Sequence, residues 1–126
     1  DGDQKMKSRY YPHIDKAKVF GDNYVRDFSE HSRGVAVDVS LLYAKTGKPV
    51  DMGGHHDLLD PSSTTDSTLV TPSQRRNRMI LKTAFEKQGF ANYAPEWWHY
   101  RLLNEPEPTL HYYFPVWDGM TSAGRP

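Results

Sequence analysis

The pattern of apolar and polar positions predicts its clearest strand at residues 35–43. Valines at every second position alternate there with small or polar side chains, which is the period-two pattern of a half-buried strand. Ala36 and Leu42 make the second face partly apolar as well, so we expect this strand to be central in its sheet. A turn is predicted at residues 45–48, and residues 50–52 are expected to return as a short strand.

A long helix is predicted after residue 71, because its start carries a complete set of N-terminal signals. Thr71 is a favourable N-cap, Pro72 suits the first helical position, and Gln74 completes a capping box. Gly89 is a natural residue to follow the last turn. We expect an apolar stripe to pack on the sheet and basic residues to face water. The stripe comprises Ile80, Leu81, Ala84 and Phe85, and the basic residues are Arg75, Arg76, Arg78, Lys82 and Lys87.

The remaining segments are shorter and favour the α+β class. In chain order they are a polar irregular start (1–11), a short helix (12–20), a charged loop (21–32), a long loop (53–70), three strands (90–93, 97–103 and 110–116) and a loose tail (118–126). Loops as long as residues 53–70 are usually functional or disordered. Because strands outnumber helices, the sequence predicts a small antiparallel sheet with one long helix, in a single domain over residues 1–126.

Composition narrows the class of protein further. The chain has 126 residues, with sixteen basic and sixteen acidic side chains and no cysteine. The absence of cysteine excludes disulfides, thiolate nucleophiles and cysteine-ligated zinc. A net charge of zero argues against a nucleic-acid-binding protein, and no apolar run approaches the ~20 residues of a membrane span. The six histidines are therefore the main candidates for chemistry.

One candidate segment places His31 just before the predicted strand and Asp38 within it. A carboxylate inside an apolar strand is costly to bury unless it is paired or bound to a metal. Gly34 allows a sharp turn, so that His31 can fold back beside the strand. For this segment alone, an Asp38 held by an arginine or by backbone amides is an equally good interpretation.

A second segment is Glu96-Trp97-Trp98-His99. In a regular strand, positions 96 and 99 point to opposite faces, so they share a site only if the chain turns at Pro95 and enters the strand near His99. Taken alone, this motif is better interpreted as a hydrophobic strand with flanking polar residues.

Together, the two segments offer the parts of a zinc-dependent hydrolase. Two histidines and one aspartate make a three-ligand set that leaves an open coordination position. Glu96 would then be the base that takes a proton from water, and the neighbouring tryptophans would exclude solvent and raise its pKa. This machinery suits amide hydrolysis, although the spacing alone supports it only weakly.

In this order, the motifs resemble those of the VanX-type D-alanyl-D-alanine dipeptidases. These are zinc peptidases of family M15, which share a fold with the hedgehog signalling domain. The resemblance runs from about residue 10 to residue 117. It is carried by Ser-Glu-His-Ser-Arg-Gly-Val-Ala-Val-Asp (29–38), Asp-Met-Gly (51–53), Gln-Arg-Arg-Asn-Arg (74–78), Glu-Trp-Trp-His (96–99) and Phe-Pro-Val (114–116). It implies a hedgehog/DD-peptidase fold, hydrolysis of D-Ala-D-Ala to two D-Ala, and one zinc ion per chain.

The resemblance also implies roles for individual residues. His31, Asp38 and His99 would bind zinc, and Glu96 would be the general base. Asp57 and Ser29 match residues that lie at the amino end of the dipeptide substrate. For Asp57, a role as a loop cap is an equally good alternative. His55 and His56 differ from the aromatic residue usual before that aspartate, and we expect them to be loop histidines rather than a second metal site.

One family motif is absent from this sequence. The family carries Asp-x-Tyr-Arg-Pro upstream of the zinc histidine, and its arginine stabilises the oxyanion. We therefore expect the chain to be the carboxy-terminal portion of the catalytic domain, with that arginine supplied by an amino-terminal segment or a second chain. Arg33 is expected to make a structural contact instead.

Several alternatives stay open at this stage. They are another peptidoglycan D,D- or L,D-peptidase, a non-catalytic zinc-binding domain and a structural β-rich domain. The neutral charge suits a small zwitterionic substrate. Bacterial members of the family include cytoplasmic and exported proteins, so neither the compartment nor the oligomeric state follows from the sequence.

Overall fold

A computed structural model of the chain describes residues 6–15, 18, 30–106 and 109–110. Its elements combine helices with an antiparallel sheet, in agreement with the predicted α+β class. The helices are α1 (Lys7–Tyr10) and α2 (Pro72–Glu86), the strands are β1 (Ala36–Asp38), β2 (Phe90–Asn92) and β3 (His99–Leu102), and 3₁₀ helices lie at Glu30–Arg33 and Pro61–Ser63.

The three described strands form one antiparallel sheet in the order β1-β3-β2. Strand β3 is therefore central among the described strands, and β1, which we expected to be central, lies at an edge of this described part of the sheet. In the register, Ala36 lies opposite Arg101 and Asp38 opposite His99. This register brings the segment that contains His31 and Asp38 next to the segment that contains Glu96 and His99.

The predicted strand at residues 35–43 is much shorter in the structure. Pairing with β3 ends near His99, because the preceding residues turn instead of extending, and Val39 makes the last backbone bond, to the carbonyl of Trp98. Beyond it, Leu42 and Pro49 form an isolated bridge around the predicted turn. Residues 50–52 are not a strand, so that prediction is also wrong.

Helix α2 begins as predicted but buries a different face. The capping box between Thr71 and Gln74 is complete. However, Ile80 is 55% exposed and Ala84 is exposed, whereas Arg78, predicted to face water, is 0% exposed. The buried face follows the helical spacing 78, 81 and 85. This face packs both on apolar side chains and on a loop whose carbonyl oxygens accept hydrogen bonds from the guanidinium of Arg78.

The amino-terminal region also differs from the prediction. Helix α1 (Lys7–Tyr10) lies in a stretch predicted to be irregular, and it ends before Pro12, which disfavours helical backbone in the residue before it. Residues 12–14 form turns. Residues 16, 17, 19 and 20 of the predicted helix at 12–20 lie outside the described residues. So do the predicted strand at 110–116, apart from Leu110, and the whole tail at 118–126.

The hydrophobic core lies between α2 and the sheet. Its buried members are Met52, Leu81, Trp97, Trp98 and Tyr100, with Val39, Leu41, Val50, Phe85 and Phe90 packed around them. Each large side chain buried in this way contributes about 1.5–3 kcal/mol. The two tryptophans come directly before β3, so the core fixes the point at which the candidate motif enters the sheet. Among the described residues, we find no helix with the length and apolar character needed to cross a membrane.

Candidate metal centre

The 3₁₀ helix at Glu30–Arg33 presents His31 to β1. Gly34 follows with a φ of +69°, a conformation that favours glycine, and the chain reverses into the strand as the sequence predicts. The Nδ1 atom of His31 lies 3.0 Å from the carbonyl oxygen of Ala36 and donates to it as N–H. This bond leaves Nε2 directed at Asp38, with 3.4 Å between Nε2 and Oδ1.

His99 reaches the same carboxylate from the neighbouring strand. It is the first residue of β3 and lies opposite Asp38 in the register, so its Nδ1 is 3.2 Å from Oδ1 of Asp38. The rings of His31 and His99 meet edge to face, with 4.8 Å between their centroids. The contact with Asp38 is the largest of the interactions that raise the pKa of His99, while burial opposes it.

The three side chains fit the requirements of a zinc ion. Each offers one ligand atom, and the three atoms lie within 4.8 Å of one another. Ligands about 2.0–2.1 Å from a tetrahedral zinc are about 3.3–3.4 Å apart, close to the separations found at Asp38. Two imidazoles and a carboxylate also match the donor types of catalytic zinc sites. Asp38 is not buried in the core, as its side chain is 31% exposed on the face shared with the histidines.

Glu96 lies beside this cluster because the chain turns after Pro95. The amide of Glu96 donates to the carbonyl of Tyr93, and the amide of His99 donates to the carbonyl of Glu96. The strand therefore starts only at His99, and Oε2 of Glu96 lies 3.5 Å from Nδ1 of His99. The turn that the sequence requires for these two residues to share a site is present.

The environment of Glu96 favours a protonated carboxyl. Burial raises its pKa to about 7, and the negative charges of Asp38 and Asp57 act in the same direction, whereas His99 opposes them. A carboxyl with a pKa near neutrality can both accept and donate a proton at physiological pH. This property is typical of a general acid–base catalyst.

Asp57 lies in the loop between Met52 and α2. Its side chain is exposed, and its φ of +60° is uncommon for a residue other than glycine. Its charge contributes to the raised pKa of Glu96, so the two carboxylates are close enough to interact. Ser29, the other predicted contact to substrate, lies outside the described residues.

The loop that carries Asp57 is anchored on α2. The buried guanidinium of Arg78 donates to the carbonyl oxygens of Met52, Ser62 and Thr64 at 2.7, 2.7 and 2.9 Å. Gln74 donates to the carboxylate of Asp51 at 2.9 Å. These bonds tie both ends of the segment 51–64 to one helix and fix the loop in place.

Gly53 permits the close approach between this loop and α2. It has a φ of +81°, and a β-carbon there would lie 2.9 Å from Oε1 of Gln74 and from a methyl group of Val70. The glycine of the Asp-Met-Gly motif therefore serves the packing of the loop on the helix.

The two histidines before Asp57 are held within the loop. His55 contacts the backbone carbonyls of Arg9 and His56 through its two ring nitrogens. His56 packs against Trp97, with 5.2 Å between ring centroids. Among the described residues, neither belongs to a group of three potential metal ligands.

Arg33 makes the structural contact that we expected. Its Nη2 lies 2.9 Å from Oε2 of Glu105, and both side chains are largely buried. Two further residues, Glu30 and Arg78, were not predicted to contribute to the site. Arg78 could have been assigned from its helical spacing with Gln74 and Leu81, whereas Glu30 has no sequence signal beyond its position next to His31.

Comparison with known proteins identifies the family. The sequence model of the M15 peptidases, described as D-Ala-D-Ala dipeptidase, matches residues 2–117. The chain belongs to the D-Ala-D-Ala dipeptidase family. Peptidases of this family are metallopeptidases, and the cluster of His31, Asp38 and His99 is a possible metal site in this member.

Individual relatives agree with the family match. The D-alanyl-D-alanine dipeptidase of Streptomyces coelicolor is 44% identical over 114 residues, which cover 90% of this chain and 56% of that protein. The D-alanyl-D-alanine dipeptidases of Enterococcus faecalis and Enterococcus faecium are 37% and 39% identical, over 90% and 87% of this chain. The enterococcal matches cover 56% and 54% of those proteins, so the chain spans about half the length of the relatives it matches.

Proposed function

We propose that this chain carries the catalytic centre of a zinc-dependent D-alanyl-D-alanine dipeptidase, which hydrolyses D-Ala-D-Ala to two D-Ala. The observation that carries the proposal is Glu96, because its largely buried carboxyl, whose pKa burial raises to about 7, lies 3.5 Å from a histidine of a three-donor cluster. A purely structural metal site has no use for such a group. The names of the family and of its relatives support the substrate.

His31, Asp38 and His99 would hold one zinc ion, whose two-fold positive charge would polarise the scissile carbonyl and make a water molecule more acidic. Glu96 would take the proton from that water and later deliver it to the leaving amine. A pKa of about 7 suits both roles, because the carboxyl exchanges protons readily near neutral pH.

Asp57 would bind the free ammonium group of the dipeptide. Its carboxylate is exposed, and its charge acts on Glu96, which supports a place near the proposed base. We propose the same role for Ser29 from the family motif alone. The oxyanion arginine that the resemblance implies has no counterpart in this sequence, and we propose that it comes from an amino-terminal segment or a second chain.

We also propose that the fold is of the hedgehog/DD-peptidase type, in a single domain. The three-stranded antiparallel sheet with α2 on one side is compatible with this assignment. A small zwitterionic dipeptide agrees with the neutral charge of the chain, because such a substrate is bound by a few placed charges.

The test is release of D-Ala from D-Ala-D-Ala by the zinc-loaded protein. We expect Glu96→Gln to lower kcat by about 10²–10⁴-fold, which is the usual contribution of a general acid–base group. Glu86→Gln, an equal loss of charge at an exposed position on α2, should leave kcat unchanged. Full activity in Glu96→Gln, or in protein freed of zinc by a chelator, would contradict the mechanism.

A substrate panel separates this proposal from the related activities. We expect D-Ala-D-Ala to be hydrolysed faster than L-Ala-D-Ala and longer peptidoglycan stem peptides. Preference for a stem peptide would assign the chain to another peptidoglycan peptidase. Zinc binding without hydrolysis of any of these peptides would support a non-catalytic domain.

A further inference from the structure

The two histidines of the candidate metal centre are oriented by different kinds of partner. His31 donates from Nδ1 to the backbone carbonyl of Ala36, which leaves Nε2 for a metal. In His99 the roles of the two ring nitrogens are exchanged, because Nδ1 faces Asp38 and Nε2 faces another side chain. That side chain is Glu30, whose Oε2 lies 3.7 Å from Nε2 of His99.

Glu30 is itself held on its other oxygen. Its Oε1 lies 3.8 Å from Nε of Arg101, so the carboxylate stands between a guanidinium and an imidazole. His99 and Arg101 are two residues apart on β3, and their side chains therefore point to the same face of the sheet. The register sets these residues opposite Asp38 and Ala36 of β1, against which the 3₁₀ helix packs.

The chain thus places Glu30 and His31 on one short turn. Because these residues are adjacent, the turn that presents the proposed ligand His31 also presents the carboxylate of Glu30 to the proposed ligand His99. His99 is only 13% exposed and Glu30 is 32% exposed, so the pair is partly shielded from water. Metal-bound histidines commonly donate their second ring N–H to a carboxylate, which fixes the tautomer and the ring orientation.

We propose that Glu30 is a positioning residue for His99, which keeps the proton of that ring on Nε2 and leaves Nδ1 free to bind zinc. Arg101 holds Glu30 in place for this task. The inference rests on the proposed metal site, but it concerns the affinity for the metal and not the hydrolytic step. Glu30 is not assigned as a ligand, since it faces the ring nitrogen that points away from Asp38.

The first test measures zinc affinity directly, by competition with a chromogenic chelator. We expect Glu30→Ala to bind zinc about 10–100-fold more weakly than the wild type, which is the usual effect of removing such an outer partner. Glu30→Gln should recover part of the affinity, because its amide oxygen can still accept from Nε2–H. Glu86→Ala, which removes an exposed carboxylate from α2, is the matched control and should bind zinc normally.

A second readout distinguishes positioning from ligation. When Co²⁺ replaces zinc, the visible absorption reports the number and geometry of the ligands. We expect the saturated Glu30→Gln variant to retain the wild-type spectrum, because the three ligands stay the same. A spectrum that indicates a lost ligand would overturn the proposal, since Glu30 would then bind the metal itself.

Other outcomes are equally decisive. If Glu30→Ala and Glu30→Gln both fold and bind zinc within about two-fold of the wild type, Glu30 has no positioning role. If Glu30→Ala does not fold, Glu30→Gln carries the test, with a reduced affinity supporting the proposal and an unchanged one refuting it. Failure of the wild-type protein to bind zinc would instead refute the proposed metal site.

Discussion

Replacement of Arg78 by methionine should be among the most destabilising substitutions in the described part of the chain. Arg78 is 0% exposed, and its guanidinium donates three hydrogen bonds to the carbonyl oxygens of Met52, Ser62 and Thr64. It also lies 5.7 Å from the ring centre of Trp97. Methionine has a similar length but cannot donate a hydrogen bond, so all three carbonyls would lose this partner.

The expected loss follows from opposing effects. A hydrogen bond to a charged group contributes about 1.5–3 kcal/mol, and each buried carbonyl left without a partner costs about 1–3 kcal/mol. Against this, methionine removes the cost of burying a charge, and that burial is the main reason why the pKa of Arg78 is lowered. By analogy with broken buried ion pairs, we expect the free energy of unfolding to fall by about 3–5 kcal/mol.

Urea denaturation followed by tryptophan fluorescence measures this loss. Trp97 reports directly, because it contacts Arg78 and lies in the core. For an m value of about 2 kcal/mol/M, we expect the midpoint to fall by about 1.5–2.5 M. Arg78→Lys should lose less, at about 2 kcal/mol, because lysine keeps the charge but has one nitrogen and lacks the fork that spans three acceptors.

The control is Arg75→Met, which makes the same change at an exposed position on the same helix. Its effect should stay within about 0.5 kcal/mol, as is usual for surface substitutions. If Arg78→Met lowers the free energy of unfolding by less than about 1 kcal/mol, the three hydrogen bonds do not hold the loop and the argument is wrong.

Three further predictions concern the metal, the substrate and pH. Zinc at 100 times its Kd should stabilise the protein by about 2.7 kcal/mol, and a thermal melt unchanged by chelator would refute binding to the folded state. Asp57→Asn should raise KM for D-Ala-D-Ala about 10–100-fold with a smaller effect on kcat, whereas a substrate without its amino group should show no such difference between wild type and variant. Burial opposes ionisation of Asp60, but hydrogen bonds from Ser62 and His13 prevail and lower its pKa below 3.8. The resulting stability is present above about pH 3.8 and is lost as the pH falls through the lowered value, so Asp60→Asn should make urea midpoints between pH 5 and pH 2 less dependent on pH.

Local signals in the sequence were sufficient for some elements and not for others. The start of α2 was predicted correctly, because Thr71, Pro72 and Gln74 interact within one turn. The length of β1 was not predicted correctly, because a strand can extend only as far as its partner. The antiparallel partner β3 begins at His99, which lies opposite Asp38, so β1 ends there. The buried face of α2 was misassigned for a similar reason, since only the position of the loop decides that Arg78 is covered.

The candidate site, too, could be predicted from the sequence only in part. The sequence supplied two segments, one with His31 and Asp38 and one with Glu96 and His99, and a turn at Pro95 that would allow the second pair to converge. Spacing along the chain cannot give the register between distant strands, and it is this register that sets Asp38 opposite His99. Glu30 was missed because its contact with His99 depends on both the register and the preceding turn.

The two halves of the candidate site are held by different parts of the fold. The pairing of β1 with β3 brings the candidate metal ligands together, whereas α2 holds the loop of Asp57 through Arg78. The halves meet at Trp97, which directly follows Glu96 and packs near Arg78. The backbone N–H of Trp97 donates a hydrogen bond to the carbonyl oxygen of Ser63 in the loop. Because the proposed base lies next to this junction, loosening the loop should disturb Glu96 and substrate binding before it disturbs the proposed zinc ligands. Changes at Glu30 should act in the opposite order.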